Sequence, residues 1–104
     1  MKFFAVTSVD TARFIAYGDE VPMLISWVGN PTFPVTARLL VVECSNSGFE
    51  CHPGTLVVHT RENPIRWSHY CYGSGGLGTG TFAISLVDRD GHSSNPVEYT
   101  VTCY

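Results

Sequence analysis

The chain has 104 residues, 44% apolar and only 14% charged, and its six Lys and Arg against nine Asp and Glu leave a formal net charge of −3. That size suits a single domain spanning 1–104 with one modest core. No basic run or stripe is present, which sets nucleic-acid binding aside, and no stretch approaches the ~18 apolar residues of a membrane-spanning helix.

Helical periodicity is almost absent, and β-branched and aromatic residues dominate. The segments 2–9 (KFFAVTSV) and 12–17 (ARFIAY) read as strands on either side of a turn at Asp10-Thr11. In EVPMLISWV (20–28), Val21, Met23, Ile25 and Trp27 share one face. GNPTFP (29–34) is a turn cluster whose prolines supply no ladder donors. The run PVTARLLVVEC (34–44) reads as a strand whose Leu39–Val42 section is buried on both sides. A loop over 45–54 is expected to precede the strands TLVVHT (55–60) and PIRWSHYC (64–71). The Gly-rich YGSGGLGTG (72–80) reads as a flexible loop between strands.

Alternation is clearest at the end. Phe82, Ile84 and Leu86 lie on one face of TFAISLV, and Val97, Tyr99, Val101 and Cys103 on one face of PVEYTVTC. Between them DRDGHSSNP is built from turn residues. An EF-hand needs oxygen ligands at alternating positions and a terminal Glu. Asp88 and Asp90 are followed by Gly91, His92 and Ser93 with no Glu in register, so the segment is read as a connection and no metal site is expected. Short strands at regular spacing without helices indicate an all-β sandwich of about seven or eight strands.

TFAISLVDRDGHSSNPVEYTVTC resembles the final hairpin of bacterial extracellular immunoglobulin-like modules, among them fibronectin type III-like, PKD-like and cell-adhesion-related domains. The matching residues are Phe82, Ile84, Leu86, Asp88, Gly91, Ser94, Val97, Tyr99 and Val101. More loosely, ISWVGNP (25–31) is similar to the fibronectin-type strand that ends in a core Trp. The resemblance implies an immunoglobulin-like antiparallel β-sandwich; the cysteines, in a chain whose MKFF start is too short for a signal peptide, add the expectation that it is excised from a longer secreted protein. It carries over no catalytic or ligand-binding residue, because this architecture hosts many unrelated roles. Trp27 precedes every cysteine, so the antibody-type Cys–Trp–Cys core is not followed.

Four cysteines, Cys44, Cys51, Cys71 and Cys103, suit two disulfides and an oxidising, extracellular or cell-surface compartment. Their spacing lacks the paired C-x2-C of a zinc site. Bridges Cys44–Cys51 and Cys71–Cys103 would be worth roughly 2.5 and 3.7 kcal/mol in the chain-entropy model. The pairings 44–71/51–103 and 44–103/51–71 remain open at this level.

Three motifs are weighed for function. Gly73 to Gly78 satisfies G-x-G-x-x-G, but the next segment is a strand, so no helix N-terminus meets a pyrophosphate and no cofactor is expected. The histidines are dispersed and no G-x-S-x-G surrounds Ser74, so an enzyme is not expected. IRWSHYCYG (65–73) crowds Arg66, Trp67, His69, Tyr70 and Tyr72 into one strand and its outlet. Exposed aromatics beside polar groups suit protein hot spots or sugar faces, whereas packed aromatics are ordinary strand residues. Phe49 stands in a loop that a Cys44–Cys51 bridge would stiffen, either to meet a partner or to fold back on the domain. The expectation is a non-catalytic, monomeric module for spacing, adhesion or protein–protein contact. The alternative is a carbohydrate-binding module using the aromatic surface near 65–73, with the protein or polysaccharide partner unspecified.

Overall fold

A computed structural model describes residues 3–45 and 48–104. Lys2 of the expected first strand, and Asn46 and Ser47 of the expected loop, lie outside the described residues. Among the described residues the protein is all-β, with ten strands. In chain order they are β1 (Phe4–Thr11), β2 (Phe14–Ile15), β3 (Glu20–Gly29), β4 (Val35–Ser45), β5 (Phe49–Glu50), β6 (Gly54–Val58), β7 (Ile65–Tyr70), β8 (Tyr72–Gly73), β9 (Gly78–Val87) and β10 (Val97–Cys103). They form a three-stranded sheet β1-β3-β7, a five-stranded sheet β2-β10-β9-β4-β6 and a two-stranded sheet β5-β8. Three of the ten, β2, β5 and β8, are only two residues long; the expected count is seven or eight.

One core joins the two larger sheets. Phe4, Val6, Val9, Met23, Ile25, Trp27 and Ile65 come from the first; Val35, Ala37, Leu39, Phe82, Ile84, Leu86, Tyr99 and Val101 come from the second. The period-two faces of β3, β9 and β10 are the faces that are buried. Both disulfides pair locally or across strand ends: Cys44 with Cys51, and Cys71 with Cys103. The second is wholly buried and ties the residue after β7 to the end of β10. Two bridges fit an oxidising environment.

Five expectations are corrected. Of the strand expected over 12–17 only Phe14–Ile15 is strand, and the loop expected over 45–54 carries β5 at Phe49–Glu50. Asp10 and Thr11 do not turn; they pair with Leu24 and Met23 inside β1, and the chain leaves for the second sheet at Ala12-Arg13. Leu39 is buried, but Leu40, Val41 and Val42 are exposed. Among the described residues no layer covers the outer face of β4, and a bulge between Val41 and Glu43 breaks the alternation. The Gly-rich segment is mostly strand: Tyr72-Gly73 is β8 and Gly78–Gly80 opens β9, leaving 74–77 as the turn.

Asparagine side chains finish ladders that the backbone cannot. The sequence contains three Asn-Pro pairs, and proline offers no N–H while holding its predecessor extended. A carboxamide carries the same acceptor and donor as a peptide group. Asn63 Oδ1 accepts from Trp27 N (3.3 Å) and its Nδ2 donates to Trp27 O (2.7 Å), continuing the β3–β7 ladder. Asn95 does the same for Val6 on the outer edge of β1 (3.0 and 3.2 Å). Asn30 Oδ1 accepts from Phe3 N, and Asn30 N donates to Phe3 O. Asn63→Ala and Asn95→Ala are each expected to lower stability by about 1–2 kcal/mol, because two backbone groups lose their partner at once; urea denaturation of the oxidised protein measures this.

Candidate functional site

A cleft of 170 Å³ lies between the edge strand β7 and the start of the edge strand β6 at Gly54. Its lining takes consecutive residues of β7, from Trp67 to Tyr70, so both side-chain parities contribute. Only the exposed edge of a strand allows that, since alternate side chains otherwise face opposite sides of the sheet. Tyr72 of β8, Glu20 of β3, Glu50 of β5, and His52, Pro53 and Gly54 complete the rim and wall. Phe49, Leu39 and Phe82 form the floor.

The rim is aromatic and acidic. Tyr70 and Tyr72 have ring centroids 4.5 Å apart, inclined at 57°. His52 meets Tyr72 edge-on at 4.6 Å, and its Nε2 lies 3.4 Å from Glu50 Oε1. Trp67 is half-buried and rests against the backbone of Gly54, where an added Cβ would stand 3.5 Å from the indole. Of the residues singled out from sequence, Trp67, His69, Tyr70, Tyr72 and Phe49 converge here. Arg66 does not; it is exposed, opposite Leu24 in the β3–β7 ladder. Glu20, Glu50 and His52 were invisible as site residues, because only strand pairing brings them to the tyrosines.

Phe49 does not project to solvent. It is buried, with its side chain against Gly78 and Gly80 of β9 and its ring 6.4 Å from that of Tyr17. A Cβ on Gly80 would lie 2.9 Å from both the Phe49 and Phe82 rings. Gly78, the last glycine of the nucleotide-motif mimic, and Gly80 beyond it therefore make room for a phenyl group.

His69 lies behind the floor, 4% exposed, with its Nδ1 2.9 Å from the Tyr99 hydroxyl and its ring edge-on to Phe82 and Tyr99. Burial lowers its pKa from 6.5 to about 4. Burial raises the Tyr99 phenol above its ordinary range, against the opposing pull of Arg13. The pair joins the two sheets as a neutral hydrogen bond.

The DRDG segment is a turn held by one carboxylate. Asp88 is buried; its Oδ2 accepts from Thr32 N (3.1 Å), and its Oδ1 from Asp90 N and His92 N (3.0 Å each). Asp88, Asp90 and His92 bring potential ligand atoms within 4.8 Å of one another, but both Asp88 oxygens are committed to backbone donors. Burial alone would raise the Asp88 pKa; the Thr32 and His92 N–H donors, the His92 ring and the Asp90 N–H outweigh it and hold the carboxyl below its ordinary value.

No protein-family model matches the chain, and a search of curated proteins finds no match.

Two pH effects follow. The unfolded chain protonates His69 near pH 6.5 and the native chain near 4, so stability is complete above 6.5 and falls through that window by on the order of 3 kcal/mol. His69→Phe combined with Tyr99→Phe removes this slope from urea-denaturation profiles. Asp88→Asn lowers the melting temperature at neutral pH. That deficit shrinks below about pH 3.8, where the unfolded carboxylate takes up its proton and the native one begins to follow.

Proposed function

We propose that this chain is a non-catalytic immunoglobulin-like β-sandwich module of a secreted or surface protein, and that it binds another protein through the β7–β8 cleft. The strand order supports the architectural part. β1-β3-β7 and β2-β10-β9-β4-β6 follow a Greek-key path, and the N-terminal segment divides between both sheets. The two disulfides support the extracellular part.

The observation that carries the contact role is the exposure of Tyr70 (37%) and Tyr72 (45%) beside half-buried Trp67, all on paired strands. Aromatic side chains on a rigid frame lose little entropy on docking and bury much area. Among the described residues no strand pairs with the outer edge of β7, which adds main-chain donors and acceptors to the same surface. A polysaccharide partner is the second reading, favoured by the same two exposed rings. Their 57° inclination suits a projecting side chain better than a flat sugar face.

A peptide library over the immobilised, oxidised module distinguishes the two. Retained peptides whose affinity falls at least about tenfold with Tyr70→Ala/Tyr72→Ala are the expected result. Retention of polysaccharides but no peptide overturns the protein-contact reading.

A further inference from the structure

We propose that the cleft receives an arginine side chain of the partner protein, stacked on Tyr70 and Tyr72 and paired with Glu20 and Glu50. This rests on the protein-contact reading above and names the chemistry of the contact.

The register supplies the argument. Glu20 stands directly opposite Tyr70 in the β3–β7 ladder, and Glu50 directly opposite Tyr72 in the β5–β8 ladder. Residues opposite one another in an antiparallel pair share a face, with side chains about 5 Å apart. Each tyrosine therefore carries its own carboxylate, and the two Tyr–Glu pairs meet where the rings approach to 4.5 Å. The inclined rings form a corner rather than a stack; with His52 edge-on to Tyr72, the exposed parts of Tyr70 (37%) and Tyr72 (45%) are what a third planar group would meet.

Ring faces attract cations, and the carboxylates add ordinary Coulomb attraction. A guanidinium satisfies both at once: it is flat enough to lie on a tyrosine and carries forked N–H donors for a carboxylate at its edge. Among the described lining residues there is no Lys or Arg; His52, 3.4 Å from Glu50, is the one basic side chain beside the two carboxylates. The chain's net charge of −3 favours approach of a basic partner as well. A volume of 170 Å³ falls below the ~300–1,000 Å³ of small-molecule pockets and suits one long side chain.

The test titrates isotope-labelled, oxidised protein with N-acetyl-Gly-Arg-Gly-amide and, separately, with the same peptide carrying neutral, isosteric citrulline. The arginine peptide is expected to give saturable NMR shifts at Glu20, Glu50, Tyr70 and Tyr72, weakening as salt is raised. Citrulline is expected to bind about tenfold more weakly, and Glu20→Gln/Glu50→Gln to cost the arginine peptide about the same factor. Both glutamates are exposed, so the double variant keeps its fold and its remaining spectrum. Equal binding of the citrulline peptide, or an unchanged affinity in the double variant, overturns the arginine assignment and leaves the protein-contact reading standing. Silence toward both peptides also overturns the arginine assignment. Shifts at the cleft with soluble polysaccharide but with neither peptide overturn both readings.

Discussion

The anchoring of Cys71 in the core is the constraint on which the exposed surface depends. Cys71 is the single residue between β7 and β8, is wholly buried, and is bonded to Cys103 at the end of β10. In extended chain, neighbours of an inward-pointing residue point outward. Fixing Cys71 inside therefore turns Tyr70 and Tyr72 out together, on the same side and within ring contact. Backbone bonds hold the position as well: Gly18 N donates to Cys71 O, and Cys71 N donates to Asp19 O, extending the β3–β7 pairing past the strand end. A covalent link on the inside thus becomes an aromatic corner on the outside.

A second anchor shapes the opposite wall. The Cys44–Cys51 bridge closes the segment that carries Phe49, and Phe49 inserts over Gly78 and Gly80, where β9 offers no side chain. That insertion lays β5 against β8 and so places Glu50 opposite Tyr72. His69 and Tyr99 do comparable work underneath, joining the sheets by a buried neutral hydrogen bond that excludes charge from the floor. The cleft's acidity is therefore confined to its rim, where the exposed Glu20 and Glu50 carboxylates stay solvated.

The surface also has a face with no assigned use. Leu40, Val42 and Val57 are exposed on β4 and β6. Nothing among the described residues covers them, and antiparallel sheets tolerate one solvated face.

The sequence by itself determined the all-β class, the inward faces of β3, β9 and β10, and the crowding of aromatics at 65–73. These are matters of local alternation, and period two is written directly into the order of residues. It also marked DRDG as a turn, since Asp88 organises only neighbours and Thr32 through its own carboxylate. Other features were legible in composition but not in meaning. The glycines at 78 and 80 read locally as a flexible loop, and the Asn-Pro pairs at 30–31 and 95–96 as parts of turns. The first are cleared space for Phe49 and the second are substitute ladder rungs, and both roles need a partner far away in the chain. Tertiary structure alone decided which cysteines met, that Phe49 faced inward, and that Glu20, Glu50 and His52 joined Tyr70 and Tyr72. The physical reason is that cross-strand register is set by turns, bulges and packing across the whole sheet, so no local stretch records who stands opposite whom.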